Sequence, residues 1–265
     1  MEEYIQPSKS PEAIPWNIWD MVKGAAVAIA IAIIFIIAMV FSIIALVGMP
    51  ALHDIASQNL DSTETLQAII DSLKADGRLN ITLALMFLFM LLGEVAIPLG
   101  AWLFSVRKYR CGWGALGFRK FDVQKGLLLA LAITAIGIGI SIGYEVLLEY
   151  LRWEDSSNIY APFDENALGM ALFGITAVIA APLAEEIFFR GFLFQGLGKR
   201  LKFAWAAIIS AAIFAIGHFS LSGLVPIFIL GLMLAWLFNK TKSVWPCIIV
   251  HAAYNSIALI FMIIS

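Results

Sequence analysis

Seven apolar segments run through this chain, and most of them are long enough to cross a lipid bilayer. In hydrocarbon every backbone N–H and C=O group must find a partner within the protein, so each segment is predicted to be a helix. Of the 265 residues, 62% are hydrophobic and 14% are charged, which is too few charges for one large water-soluble domain. The sequence therefore predicts an all-α fold, a polytopic bundle of about seven transmembrane helices. The segments are roughly 24–48, 80–106, 126–148, 167–189, 203–221, 224–239 and 244–264.

No polar stretch is long enough to fold alone, so residues 1–265 are predicted to form a single membrane domain. Its first three spans lie within residues 1–150, and the last four lie within residues 165–265. The first apolar run exceeds the length typical of a signal peptide, and it is expected to remain as a transmembrane helix. The net charge of −2 offers no basic surface for nucleic acid. The protein is predicted to lie in a lipid bilayer, most simply the plasma membrane.

The connections between the segments differ in charge. Residues 107–125, 190–202 and 240–243 are basic, whereas residues 50–79 and 149–165 are mainly acidic. Positive residues concentrate on the cytoplasmic side of membrane proteins, so this alternation predicts a cytoplasmic N-terminus and an external C-terminus. The first acidic connection also has apolar residues at helical spacing, and it is predicted to contain a short interfacial helix.

Two adjacent acids end the fourth apolar segment, and ionisable groups in a span indicate function by default. Glu186 and Arg190 are four residues apart, so they can pair on one face of a helix. Glu185 lies about 100° around the helix from Glu186 and is left to point elsewhere. The alternative is that both acids form a buried ion-pair cluster with the arginine.

Two histidines lie in later apolar segments. His218 lies in the fifth segment, 203–221, and His251 lies in the seventh, 244–264. His251 and Asn255 are four residues apart, so they share one face of a helix. A lone helical histidine is usually a satisfied core residue. Together with Glu185, however, the set contains a base to activate water and donors to stabilise an oxyanion, as amide hydrolysis requires. The two histidines and the acid could equally hold zinc with one position open for water.

Other hydrolytic chemistries lack their residues. The chain has no H-E-x-x-H zinc motif and no G-x-S-x-G nucleophile motif. No aspartate lies within the seven apolar segments, which excludes an intramembrane aspartate pair.

Three motifs occur in order: E-E-x-x-x-R at Glu185–Arg190, F-x-x-x-H at Phe214–His218 and H-x-x-x-N at His251–Asn255. They resemble the motifs of the CPBP family of intramembrane endopeptidases, also called the Abi family. This family includes the type II CAAX prenyl proteases as well as bacterial bacteriocin-processing and self-immunity proteins. The resemblance covers about residues 165–265, and every motif position matches.

The resemblance implies a role for each matched residue. Glu185 would activate the attacking water with assistance from His218, and His251 and Asn255 would hold the oxyanion. The substrate would be a membrane-embedded or lipidated protein or peptide.

The resemblance places Glu186 and Arg190 in support of the site and leaves the metal open. A metal-free mechanism is the expectation, because asparagine is a poor zinc ligand and only one acid is clearly unpaired. If zinc is bound, the ligands would be Glu185, His218 and His251.

Two other functions remain open. The chain could be a non-proteolytic scaffold or a bacteriocin self-immunity protein, in which the motif residues would form a buried polar network. A transporter would use Glu94 and Glu185 as proton or substrate sites, although no inverted repeat relates the two halves. In the enzyme, Glu94 is expected to be a structural acid or a wall of the same polar cavity.

Counting residues along straight helices leaves one difficulty. At 1.5 Å per residue, Glu185 lies about 5 Å to the cytoplasmic side of its span, whereas His218 lies about 9 Å to the outer side. Either the fifth span begins later than residue 203, with residues 201–205 in the membrane interface, or Gly217 and the tilt of the helices bring His218 inward. The first explanation is favoured, because Lys202 and Trp205 are typical of the interface.

The charge pattern predicts that residues 107–125 face the cytoplasm. Lys120→Cys, in a chain with Cys111 and Cys247 replaced by serine, should resist a membrane-impermeant thiol reagent until intact cells are permeabilised. Glu64→Cys, in the opposite loop, is the control that should be labelled at once. Labelling of position 120 in intact cells would show that this loop lies outside the cell and would contradict the predicted topology.

Overall fold

The computed structural model describes residues 14–58, 60–153, 166–218 and 220–264, and within these ranges the regular elements are helical only. Nine helices occur there, and a 3₁₀ turn, Trp113–Leu116, precedes the third long one. The helices are α1 (Ile18–Val47), α2 (Met49–Ser57), α3 (Ser62–Ala75), α4 (Leu79–Arg107), α5 (Val123–Tyr150), α6 (Ala167–Gly198), α7 (Phe203–Ile216), α8 (Leu224–Thr241) and α9 (Trp245–Ile264).

In the described part of the chain, six helices are long and apolar enough to cross a membrane: α1, α4, α5, α6, α8 and α9. The predicted all-α polytopic bundle is confirmed, and the chain is a multi-pass integral membrane protein. The remaining apolar helix, α7, has 14 residues. Its length is about 21 Å, whereas a bilayer core is about 30 Å thick. Seven spans, a cytoplasmic N-terminus and the plasma membrane stay predictions.

The fourth span is longer than predicted. A loop was expected to begin at residue 190, but helix α6 continues to Gly198 and the side chain of Arg190 is only 1% exposed. The prediction of a loop over residues 190–198 is therefore wrong. Arg190 does not need to reach water, because it pairs with Glu186 at 2.8 Å within the protein.

Helix α6 contains two π-helical segments, Thr176–Ala180 and Ile187–Phe194. A short α-helical stretch, Ala181–Glu186, lies between them. Pro182 has no N–H group to donate to the preceding turn, which favours wider winding there. π-helical turns are rare and often occur at functional sites. The two acids thus end the short α-helical stretch between the two π-helical segments.

The second half of α6 is held from several sides. Trp16, just before α1, is fully buried and its indole Nε1 donates to the carbonyl of Phe192 at 3.0 Å. At Gly191, a Cβ atom would lie 2.4 Å from the carbonyl oxygen of Leu116, so only glycine permits this approach. The part of α6 that follows the acids is therefore fixed against the preceding loop and the start of α1.

Two helices occupy the first acidic connection, where one short interfacial helix was predicted. Helix α3 begins with a capping box in which Asp61 and Glu64 each accept from the other's backbone N–H. Its apolar residues Ile70 and Leu73 are buried in a cluster with the ends of α1 and α4. The apolar face of α3 therefore packs on the bundle. Of the second acidic connection, residues 154–165 lie outside the described residues.

Candidate active site

The predicted site residues come from three separate parts of the bundle. Glu185 and Glu186 end the α-helical turn of α6, His218 follows the last turn of α7, and His251 lies in the second turn of α9. A carboxylate oxygen of Glu185 and one ring nitrogen of each histidine all lie within 4.8 Å of one another. The three groups meet although the helix of the fifth apolar segment, α7, begins at Phe203, so the favoured explanation of a later start is wrong. The helix ends at Ile216, and His218 lies in the turn after Gly217.

Glu186 is the centre of a buried network. Its Oε1 atom accepts from Nη1 of Arg190 at 2.8 Å and lies 3.0 Å from Nδ1 of His251. All three side chains are at most 2% exposed. The predicted pairing of Glu186 with Arg190 is present, and the contact with His251 is an addition that helical spacing within α6 could not reveal.

Phe214 lies between the charged groups. Its ring centroid is 4.4 Å from Cζ of Arg190, which is the distance of a cation–π contact. The same ring meets the imidazoles of His218 and His251 edge to face, at 4.7 and 5.6 Å between centroids. The F-x-x-x-H spacing placed Phe214 beside His218, but its contacts with Arg190 and His251 come from other helices and were not predicted.

Glu185 faces the two histidines instead of the arginine. Its Oε2 atom lies 3.9 Å from Nε2 of His218 and 3.8 Å from Nε2 of His251. In the described part of the chain, the ion pair of Arg190 is with Glu186. The two acids therefore have different partners, as the angle between them on the helix predicted.

Hydrogen bonds orient both imidazole rings. Nδ1 of His218 lies 2.8 Å from the carbonyl oxygen of Phe214, and Nδ1 of His251 lies 3.0 Å from the Glu186 carboxylate. Carbonyl and carboxylate oxygens accept hydrogen bonds, so each Nδ1 carries the proton. Nε2 of each ring is thereby directed at Glu185. Separations of 3.8 and 3.9 Å exceed hydrogen-bond length and suit groups that are bridged by a water molecule.

The same three side chains fit a metal ion. Zinc binds through His nitrogen and carboxylate oxygen, and a catalytic site has three protein ligands. Histidine ligands usually donate their other ring N–H to a carboxylate or a backbone carbonyl. Glu185, His218 and His251 meet this pattern, with the oxygens of Glu186 and Phe214 as acceptors.

Asn255 lies one helical turn beyond His251, and its side chain has another contact. The Nδ2 atom donates to the carbonyl oxygen of Ala177 at 2.7 Å. Ala177 belongs to the π-helical segment that precedes the two acids. The amide nitrogen of asparagine carries two hydrogens, so one anchors α9 to α6 and the second stays free to donate elsewhere. The sequence contained no signal for this contact, because it depends on how the two helices pack.

Four polar atoms of the described residues are buried without a hydrogen-bond partner: Oε2 of Glu94, Glu185 and Glu186, and Nε of Arg190. Buried unsatisfied polar atoms are uncommon in folded proteins. Three belong to the first motif, and Glu94 interacts electrostatically with Glu185. The expectation that Glu94 borders the same polar region agrees with this interaction.

Residues 167–257 match the family described as Rce1-like: Type II CAAX prenyl endopeptidase Rce1-like. The predicted resemblance is confirmed over this part of the chain. The matched range contains all three motifs, from Glu185 to Asn255. The Rce1-like region thus consists of α6 to α9, and the earlier spans lie outside the match.

Three curated relatives match parts of the chain. "Putative membrane peptidase YdiL" of Bacillus subtilis (strain 168) is 32% identical over 133 residues, which is 50% of this chain and 53% of YdiL. An uncharacterized protein of Mycoplasma capricolum subsp. capricolum is 28% identical over 164 residues, 56% of this chain and 48% of that protein. The UPF0177 protein YxdF of Lactococcus lactis subsp. lactis (strain IL1403) is 33% identical over 79 residues, 29% of this chain and 42% of YxdF.

The chain spans about half the length of these relatives. No solved structure gives a significant match.

The contacts of the two acids predict different effects on stability. Glu186→Ala should destabilise the protein by about 3–5 kcal/mol, because Arg190 and His251 would lose their partner in a buried place. Glu185→Ala should cost less, since no cation depends on it. Thermal unfolding of the two purified variants measures the difference, and equal melting temperatures would contradict this division between the acids.

Proposed function

We propose that the chain is an intramembrane endopeptidase that hydrolyses a peptide bond of a membrane-associated or lipidated protein, using water activated by Glu185. The observation that carries the proposal is the position of Glu185. Its carboxylate is free of Arg190 and faces Nε2 of both His218 and His251. The match of residues 167–257 to prenyl endopeptidases supports the same reaction class.

In this proposal Glu185 is the general base. Its Oε2 atom takes a proton from water, and the resulting hydroxide attacks the carbonyl carbon of the peptide bond. When the C–N bond breaks, the proton moves from Glu185 to the leaving nitrogen, so the carboxylate is regenerated. Nδ1 of His218 donates its hydrogen to the carbonyl of Phe214, so Nε2 can accept a hydrogen bond from the same water molecule. This hydrogen bond orients the water for attack.

The oxyanion would be held by His251 and Asn255. Nε2 of His251 would donate to the oxyanion, and the Glu186 carboxylate, 3.0 Å from Nδ1, holds the ring in the orientation that this requires. Asn255 contributes the amide hydrogen that is not used on Ala177. Such donors act on the charge that develops in the transition state, which is usually a large part of catalysis.

Glu186 and Arg190 support the site without contacting the reacting atoms. Arg190 neutralises Glu186, and Glu186 holds the ring of His251 in place. Both are fully enclosed by protein. Their proposed role is to fix the position of His251.

Bound zinc is the second candidate, since the convergence of Glu185, His218 and His251 within 4.8 Å favours it. A metal held by these residues would polarise the carbonyl oxygen and lower the pKa of a bound water. The Rce1-like site residues would be the same in either case.

A scaffold or self-immunity protein is the competing class. It would use the motif residues as a buried polar network, and it would not need Glu185 to be free of a cation. Turnover of a quenched membrane-peptide library by the purified protein separates the two classes.

Catalysis by Glu185 predicts the response of two variants in that library assay. Glu185→Gln should abolish turnover, because an amide cannot take the proton from water. Asn255→Ala should reduce the rate about 10²- to 10³-fold, the typical loss of one oxyanion donor. Full activity of Glu185→Gln would refute the proposed base.

The metal-free mechanism and the zinc mechanism predict different responses to a chelator. In the metal-free mechanism a strong chelator should leave turnover unchanged, and elemental analysis of the purified protein should find no stoichiometric zinc. The opposite result would be one zinc ion per chain that is lost together with activity on chelation and is absent from His218→Ala. That result would contradict the metal-free mechanism and support a zinc mechanism with the same site residues.

A further inference from the structure

Glu94 is a partly buried acid that the proposed mechanism does not use. It lies in the apolar helix α4, which packs along α6 on both sides of the two motif acids. Its Oε2 atom is buried and has no hydrogen-bond partner among the described residues. The packing of α4 against the part of α6 that carries the two acids brings Glu94 to the side of the active site, and its carboxyl group is near enough to that of Glu185 for the two charges to repel.

A proline interrupts the backbone hydrogen bonds of α4 just after Glu94. In an α-helix the carbonyl of Glu94 would accept from the N–H group of the residue four positions later. That residue is Pro98, which lies inside α4 and has no N–H group. The carbonyl of Glu94 therefore lacks the donor that an uninterrupted α-helix would give it, and Oε2 of the same residue has no hydrogen-bond partner among the described residues.

A structural acid in this protein looks different. Asp20, which is 1% exposed, contacts Nζ of Lys108 at 2.5 Å and accepts from the Tyr109 hydroxyl at 2.6 Å. It also accepts from the backbone N–H of Asn17 at 3.0 Å. Glu94 has no such set of partners, although a buried carboxyl group is costly without one.

We propose that Glu94 binds the backbone of the substrate beside the scissile bond, by accepting hydrogen bonds from peptide N–H groups. An extended peptide that enters a membrane-embedded site loses water from its N–H groups and needs acceptors in the protein. The unpartnered carboxyl oxygen of Glu94 supplies such an acceptor on the helix that packs beside the motif acids. The inference rests on the proposed peptidase function and assigns its substrate contact to an extended backbone.

The first test needs no substrate. Glu94→Leu removes an unpartnered acid from an apolar helix, so its melting temperature should equal or exceed that of the wild type. Asp20→Leu is the matched control and should melt lower, because Lys108 and Tyr109 lose their partner. A fall for Glu94→Leu as large as that for Asp20→Leu would show that Glu94 is structural and overturn the proposal.

The second test uses a library peptide that the wild type cleaves. Glu94→Leu should raise KM about tenfold with kcat little changed, because it removes binding that is equal in the ground and transition states. Glu94→Gln retains an acceptor oxygen, and its KM should fall between the two. A Glu94→Leu variant with an unchanged KM would overturn the proposal.

Ester substitution in the peptide identifies the contacted N–H group. Replacing one backbone N–H by oxygen near the cleaved bond should raise KM for the wild type at one position. At that position the same replacement should have no further effect in Glu94→Leu, since the two changes remove one hydrogen bond. Effects that multiply at every position would contradict a direct contact.

The two proposals can fail separately. A wild-type protein that cleaves no library peptide overturns the peptidase function. In that case the affinities of wild type and Glu94→Leu for the fluorescent library peptides are compared directly. Equal affinities would overturn the role of Glu94, and weaker binding by Glu94→Leu would support it.

Discussion

The buried ion pair between Glu186 and Arg190 is the interaction on which the site depends. Removing either charge from water is expensive, and the cost is offset only when each partner has further contacts. Glu186 therefore also meets His251 on α9, and Arg190 lies over the ring of Phe214 on α7 and 3.4 Å from the carbonyl of Gly231 on α8. One charge pair on α6 thus contacts each of the other three helices of the Rce1-like region.

This arrangement gives the two acids of the first motif different partners. Glu186 is neutralised and holds His251, whereas Glu185 faces two imidazole nitrogens across distances that suit water or a metal ion. The unsatisfied oxygens of Glu185 and Glu94 carry a cost in stability. Proteins commonly keep such costs at functional sites, where an unpaired group is needed for the reaction or for substrate.

Much of the fold followed from the apolar pattern, because a helix in hydrocarbon must satisfy its own backbone. Predicted segments such as 126–148 and 244–264 match α5 and α9 to within about three residues. The prediction failed at residues 190–198, where basic charge was taken as a loop. A cation ends a span only if it must reach water, and Arg190 is instead paired inside the protein.

The sequence by itself determined the class of the protein, the candidate site residues and the pairs within one helix, such as Glu186 with Arg190. Those pairs follow from helical spacing alone. Only the tertiary structure decided that His218 reaches Glu185, that His251 contacts Glu186 and that Asn255 holds Ala177. The physical reason is that lipid is as apolar as the helices, so hydropathy does not choose which faces meet. Close packing and interhelical hydrogen bonds make that choice.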